Sequence, residues 1–242
     1  MMKILYKLYS FLIALPLFLV VTIIIAICVT IAAFCGDSVY IGYYLPKWWS
    51  RFTLWVFLIP VKTEGKELID AKQSYVFLAN HQGYFDIFLI YGYLGHNFKW
   101  MMKEYLRKIP FVGLACAKSG HIYVGDSRAS MQKTVVQAQE TLREGMSMVI
   151  FPEGTRTHDG KMGGFKKGAF TLANEIGLPI VPLTINGSFD IFSRNAYSVT
   201  RHPISLTVHR PITAEDRQGK PTRILMQEVF DVIHSDLEEK YK

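Results

Sequence analysis

From Phe11 to Phe34 the chain reads FLIALPLFLVVTIIIAICVTIAAF, 24 residues without a charged side chain. As a helix this run extends roughly 36 Å, against about 30 Å for the hydrocarbon core of a bilayer. It is long enough to span a membrane. Lys3 and Lys7 precede it as in a signal peptide. The run, however, exceeds the usual apolar core of such a peptide, and no small-x-small cleavage site follows, so a retained helix is expected. Pro16 is expected to kink this helix rather than end it, because neighbouring groups in a membrane segment can satisfy the freed carbonyl.

After the turn-like CGDS (35–38), Tyr40, Tyr43, Tyr44, Trp48, Trp49 and Trp55 are interleaved with Lys47 and Arg51. Tyr and Trp concentrate at the headgroup level, where ring and polar tip are both satisfied. A return hairpin that dips into or crosses the bilayer is therefore expected. A single crossing with the N-terminal lysines inside would leave the rest of the chain outside. An aromatic-rich core helix is the alternative reading of the same residues. The domain organisation expected is a membrane-anchoring helical segment over 1–60 and one folded domain over 61–242.

Charge and cysteine usage narrow the class. Of the formal +7, +3 falls in residues 1–60 (four basic, one acidic) and +4 in the remainder (23 basic, 19 acidic). No interleaving of aromatic and basic residues occurs in the second part, which argues against a nucleic-acid partner. Cys28, Cys35 and Cys116 have no metal-ligand spacing and form an odd set, which argues against a disulfide framework and for a reducing compartment. No Cys/His cluster points to a metal.

Within 61–242, strands are expected at 74–79, 98–102, 121–124, 146–151, 179–185 and 204–209. Helices are expected near 86–94, 103–108, 128–144, 166–176 and 222–240. The helix over 128–144 has Met131, Val135, Ala138 and Leu142 near helical spacing and Gly145 just past its end. This alternation predicts an α/β layered domain, a largely parallel sheet with flanking helices, preceded by the N-terminal membrane-embedded hairpin.

Directly after SYVFLA comes NHQGYFDIF (80–88), with His81 and Asp86 five positions apart. On one helix they would point about 140° from each other, so one of them must lie outside it. Asn80 and Gly83 suggest a loop from the strand end into the first turn of a helix holding Asp86, over which the imidazole folds back. A carboxylate on one ring nitrogen fixes the tautomer and leaves the other free to take a proton from a hydroxyl. A structural capping or core pair would use the same residues. His121 and Asp126 repeat the spacing in HIYVGD, but this stretch alternates like a strand, which puts the two side chains on opposite faces.

The second informative stretch is MSMVIFPEGTRTHDGKMGGFKKGA, where a strand feeds into Pro152, Glu153, Gly154, Thr155 and Arg156. Strand-end loops of α/β sheets are where ligands bind. Gly154 lets backbone approach an anion, Thr155 offers a hydroxyl and Arg156 a planar fork for phosphate, while Lys161, Lys166 and Lys167 add positive potential. A solvated basic loop is the plainer alternative. A nucleotide P-loop is excluded by its spacing, since five residues separate Gly154 from Gly160 and Met162 stands where Ser or Thr should be. No GxSxG elbow surrounds Ser188.

Taken together, NHQGYFD and FPEGTR resemble the NHxxxxD and FPEGTR blocks of the glycerolipid acyltransferase family, most closely the bacterial 1-acyl-glycerol-3-phosphate acyltransferases. Val181, Pro182 and Gly187 in VPLTING look like the family's last block. The resemblance implies direct acyl transfer from a thioester of coenzyme A or acyl carrier protein to a lysophospholipid hydroxyl, giving phosphatidic acid, with no cofactor. It implies His81 as base, Asp86 as its orienting partner, and Glu153, Gly154, Thr155 and Arg156 as the acceptor-binding block. It further implies a bacterial-type inner (cytoplasmic) membrane with the catalytic domain on the cytoplasmic face and membrane lipids as surroundings. In the family's second block Gly120, Tyr123 and Val124 fit, but Asp126 stands in place of arginine, with Arg128 as the substitute charge. That departure admits a different acceptor, such as a lyso-aminolipid. A reading from another class is a membrane-tethered module that binds lipid headgroups without chemistry.

Overall fold

The structure, a computed structural model, describes residues 2–34, 41–125, 128–142 and 146–242, without the side chains of Ile41 and of residues 128–131. The CGDS turn, Cys35, Asp126, Gly145 and the side chains of Arg128 and Met131 thus lie outside the described residues.

Among the described residues seven strands form one sheet in the order β1 (Val61–Glu64), β7 (Ile204–Val208), β6 (Ile180–Asn186), β2 (Val76–Ala79), β5 (Ser147–Ile150), β3 (Phe98–Lys103), β4 (Ile122–Val124). Every pairing is parallel except β6 with β7. The inner strands β2, β5 and β6 are buried at every position. They read as continuous apolar runs because helices cover both faces of the sheet. Side chains alternate across it: Phe77, Ala79, Val149 and Val181 enter one core, and Val76, Leu78, Met148 and Ile150 the other.

Helices α1 (Met2–Tyr9) and α2 (Leu15–Phe34) are joined by a π-turn at Ser10–Ala14 into one continuous helix. Pro16 does not end it. The whole, Met2–Phe34, is long and apolar enough to cross a membrane by length and composition. Next comes α3 (Ile41–Val56), which returns antiparallel to it. Tyr6 and Tyr9 donate to the carbonyls of Phe57 and Val56 at 2.7 Å each, and Trp49 Nε1 donates to Thr22 Oγ1 at 2.8 Å. The hairpin is asymmetric: Ile23, Ile27 and Ile31 of α2 are exposed, whereas Leu54 and Val56 of α3 are buried in the core that contains Phe77. Arg51 Nε donates to the carbonyl of Gly92 at 2.8 Å, tying α3 to α4 (Phe85–Tyr93).

The remaining helices are α5 (Val112–Lys118), α6 (Arg128–Thr141), α7 (Lys167–Ile176), α8 (Ser188–Phe192), α9 (Ala214–Arg217) and α10 (Thr222–Ser235). Residues of α6, α7 and α10 fill the second core. All six expected strands are present, as are helices at the expected places, except that residues 104–108 form a 3-10 turn and the last helix stops at Ser235. Strand β1 was not anticipated, because VKTE pairs at a sheet edge with alternate residues in solvent and carries no apolar run. Helix α5 is too short for its periodicity to register.

Candidate active site

Strands β2 and β5 are parallel neighbours at the centre of the sheet, with Leu78 opposite Ile150. Their C-terminal loops, NHQGY and FPEGTR, therefore leave the sheet side by side. Where β2 stops, Asn80 continues its ladder by side chain: Nδ2 donates to the Ile185 carbonyl at 2.9 Å and Oδ1 accepts from Ile185 N–H at 2.7 Å. Asn80 is a structural plug against β6.

His81 lies in the loop and Asp86 in the first turn of α4, and the two side chains meet, with Nδ1 to Oδ2 at 2.7 Å. The same Oδ2 accepts the backbone N–H of Gln82 at 2.8 Å and of Gly83 at 3.0 Å. A carboxylate so cradled only accepts, so Nδ1 carries the proton and Nε2 of the neutral ring is left as an acceptor. Gly83 has no room for a side chain, since a Cβ would stand 2.8 Å from the carbonyl oxygen and Oγ of Ser188 on α8.

The FPEGTR loop holds His81 at both backbone groups. Glu153 Oε1 accepts His81 N–H at 2.7 Å, and Thr157 N–H donates to the His81 carbonyl at 2.9 Å. Glu153 Oε2 accepts Gly163 N–H at 2.8 Å. Burial pushes the Glu153 carboxyl up to about 7 against these two donors, which pull it down. The imidazole lies flat on Phe151, centroids 3.8 Å apart, and Phe151 stacks in turn on Trp100 at 5.6 Å.

Of the four FPEGTR-block residues expected to bind an acceptor, Gly154, Thr155 and Arg156 line a cavity of about 340 Å³ that also reaches His81, while Glu153 turns inward as a brace. Gly154 adopts φ +71°, a left-handed conformation that favours glycine, so a side chain there would be strained. The Arg156 guanidinium lies 3.7 Å over the Tyr84 ring, with Nη1 buried and without a hydrogen-bond partner among the described residues. Away from His81 the cavity is walled by apolar residues, among them Ile87, Tyr91, Ile109, Val112 and Trp100. Its wall includes His121, whose Nδ1 accepts Trp100 N–H at 3.3 Å and whose Nε2 lies 2.9 Å from the Tyr91 hydroxyl. Burial, aided by nearby Lys99, holds this imidazole down to about 3, so it is neutral near pH 7.

Several residues at the site escaped the sequence reading. Phe151 and Tyr84 sit inside the two motifs but carry no chemical signature of a platform. Arg194 gave no signal, being far along the chain. It donates to Thr155 Oγ1 at 3.3 Å and lies 3.1 Å from His158 Nε2, which brings a second guanidinium to the FPEGTR turn. Arg128 begins α6, but its side chain and Asp126 lie outside the described residues.

The family model described as Acyltransferase matches residues 60–186, just over half of the 242. The chain belongs to the acyltransferase family. Among similar proteins, a chloroplastic 1-acyl-sn-glycerol-3-phosphate acyltransferase of Arabidopsis thaliana is 32% identical over 174 residues, 70% of this chain and 48% of that one. A 1-acyl-sn-glycerol-3-phosphate acyltransferase of Borreliella burgdorferi is 31% identical over 160 residues, 66% of this chain and 64% of that one. The chain thus spans about half the length of the plant relative. The crystal structure of the 1-acyl-sn-glycerophosphate acyltransferase PlsC from Thermotoga maritima superposes with a TM-score of 0.80 at 24% identity, covering 96% of this chain and 93% of that one. The shared fold covers 96% of this chain and so takes in most of its N-terminal helical hairpin.

Proposed function

We propose that this acyltransferase moves a fatty acyl group from a thioester of coenzyme A or acyl carrier protein to the free hydroxyl of 1-acyl-glycerol-3-phosphate, giving phosphatidic acid. The observation that carries this reading is the His81–Asp86 pair, whose imidazole lies on the wall of an apolar cavity that Arg156 also lines. His81 Nε2 takes the proton of the acceptor hydroxyl as its oxygen bonds to the thioester carbonyl carbon. The tetrahedral intermediate then expels the thiolate, which recovers that proton from the imidazolium, whose charge Asp86 stabilises. No acyl-enzyme is needed. A positioned base of this kind contributes about 10²- to 10⁴-fold, and holding two substrates together supplies much of the rest. The apolar cavity suits the donor's acyl chain. Arg156 suits the acceptor phosphate, and Arg194, held against Thr155, offers a second cation to a chain whose sequence has Asp126 instead of the family's arginine.

The substitution at Asp126 favours one second reading, a lyso-aminolipid acceptor in the same reaction. In either case the substrate lies in a membrane, and the apolar helix Met2–Phe34 supports a site held at the headgroup plane. Three cysteines without disulfide spacing and the N-terminal lysines support a bacterial-type inner membrane with residues 61–242 as the cytoplasmic catalytic domain.

The test is an acceptor panel with a long-chain acyl thioester, reading thiol release. Lysophosphatidate is expected to drive release, ahead of glycerol 3-phosphate and lyso-aminolipids, and His81→Ala is expected to abolish it while vesicle association persists. Release without any acceptor, or none with every lysolipid, defeats the proposal.

A further inference from the structure

Helix α4 has apolar space on two sides. Ile87 and Tyr91 face the cavity that reaches His81, whereas Tyr84, Phe85 and Phe88 line a second passage of about 250 Å³. At 100° per residue the two sets lie about a quarter turn apart on the helix. An aromatic wall separates them. Trp49, in the first cavity, packs its ring 4.9 Å from Phe88 and 6.1 Å from Phe18, both of which line the second, and those two are 5.8 Å apart.

Two parts of the second passage's lining differ. Phe11 and Leu15 belong to the apolar helix, and Phe11 is 69% exposed. Lys7 lies in the same lining, and a lysine flanking a membrane helix keeps its ammonium at the headgroup level. Tyr84 and Phe192, whose rings are 5.2 Å apart, line it as well, and on Tyr84 lies the Arg156 guanidinium. Arg194 follows two positions after Phe192. A hydrocarbon chain lying in this passage would therefore touch both the apolar helix, at Phe11 and Leu15, and the Tyr84 ring on which the Arg156 guanidinium lies.

We propose that this passage holds the acyl chain that the acceptor already carries, and that the aromatic wall keeps it apart from the donor's chain in the other cavity. The proposal rests on the acyl-transfer reading above and adds the path by which the lysolipid enters. It predicts that acceptor chain length and donor chain length are selected by different residues.

The experiment measures KM for octanoyl- and oleoyl-lysophosphatidate in mixed micelles at fixed surface concentration, with the full chain. Wild type is expected to favour the longer acceptor. Val199→Trp and Ser198→Trp, which fill the passage, are expected to raise KM for the oleoyl acceptor by about tenfold, erasing that preference with donor-chain preference unmoved. Ile109→Trp, in the other cavity, is expected to do the reverse. Thermal melting identifies any variant that has not folded. A wild type indifferent to acceptor chain length overturns the proposal, as does a folded Val199→Trp or Ser198→Trp that leaves acceptor preference intact or shifts donor preference instead. Wild type releasing no thiol with any lysolipid overturns the underlying reaction instead.

Discussion

At the scale of single residues, the site separates charge from position. Asp86 Oδ2 is held by His81, Gln82 and Gly83, so in Asp86→Asn the amide oxygen can occupy the same cradle and keep the same three donors. What disappears is the negative charge that stabilises an imidazolium. Under the proposed mechanism kcat is expected to fall about 10²- to 10⁴-fold with KM little changed, in the thiol-release assay. Glu153 makes a different prediction. Its carboxyl is pushed from 4.5 to about 7 by burial, so between those values the folded chain holds more proton than the unfolded one. Its contribution to stability is thus full below 4.5 and is lost as pH rises toward 7, on the order of 3 kcal/mol. Melting temperatures of Glu153→Gln across that window are expected to lose this slope, whatever constant offset the variant carries. A slope unchanged from wild type would show that Glu153 is not the group responsible.

At the scale of elements, two loops from adjacent strands are interlocked by backbone contacts. Gly83 lets the start of α4 lie directly on α8, and Gly83→Ala places a methyl 2.8 Å from Ser188 and 2.9 Å from the Phe192 carbonyl. Neither partner is the far end of a flexible side chain, so the turn carrying Asp86 must move. A loss of about 1–3 kcal/mol in stability and more than tenfold in activity is expected, read by melting and by thiol release. Asn80 also acts at this scale. Asn80→Ala leaves the N–H and carbonyl of Ile185 without their partner in a buried strand, at a cost of about 1–3 kcal/mol. Retained stability in Asn80→Ala would show that the plug is dispensable.

At the scale of the whole molecule, the apolar helix is exposed on one side and the returning α3 is built into the domain core. Ile23 and Ile27 are 42% and 45% exposed. A lysine at the centre of a membrane helix costs about 2.5–3.5 kcal/mol, so Ile23→Lys together with Ile27→Lys is expected to abolish flotation with lipid vesicles. Because neither residue enters the domain's cores, melting in detergent is expected to stay within about 0.5 kcal/mol of wild type. Continued flotation would mean that this helix is not the membrane anchor.

Periodicity is local, so the apolar helix, the six more apolar strands, the longer helices between them and the loop that folds His81 back on Asp86 were all legible in the sequence. Those depend on residues within a few positions of one another. Tertiary structure alone decided that β2 and β5 are neighbours, that Glu153 faces inward to hold His81 while Arg156 settles on Tyr84, and that Arg194 arrives beside Thr155. Such contacts join residues from about 40 to 70 positions apart or more and follow from strand order, which no local pattern encodes. The short edge strand β1 belongs with them, since its alternation acquires meaning only when β7 lies alongside.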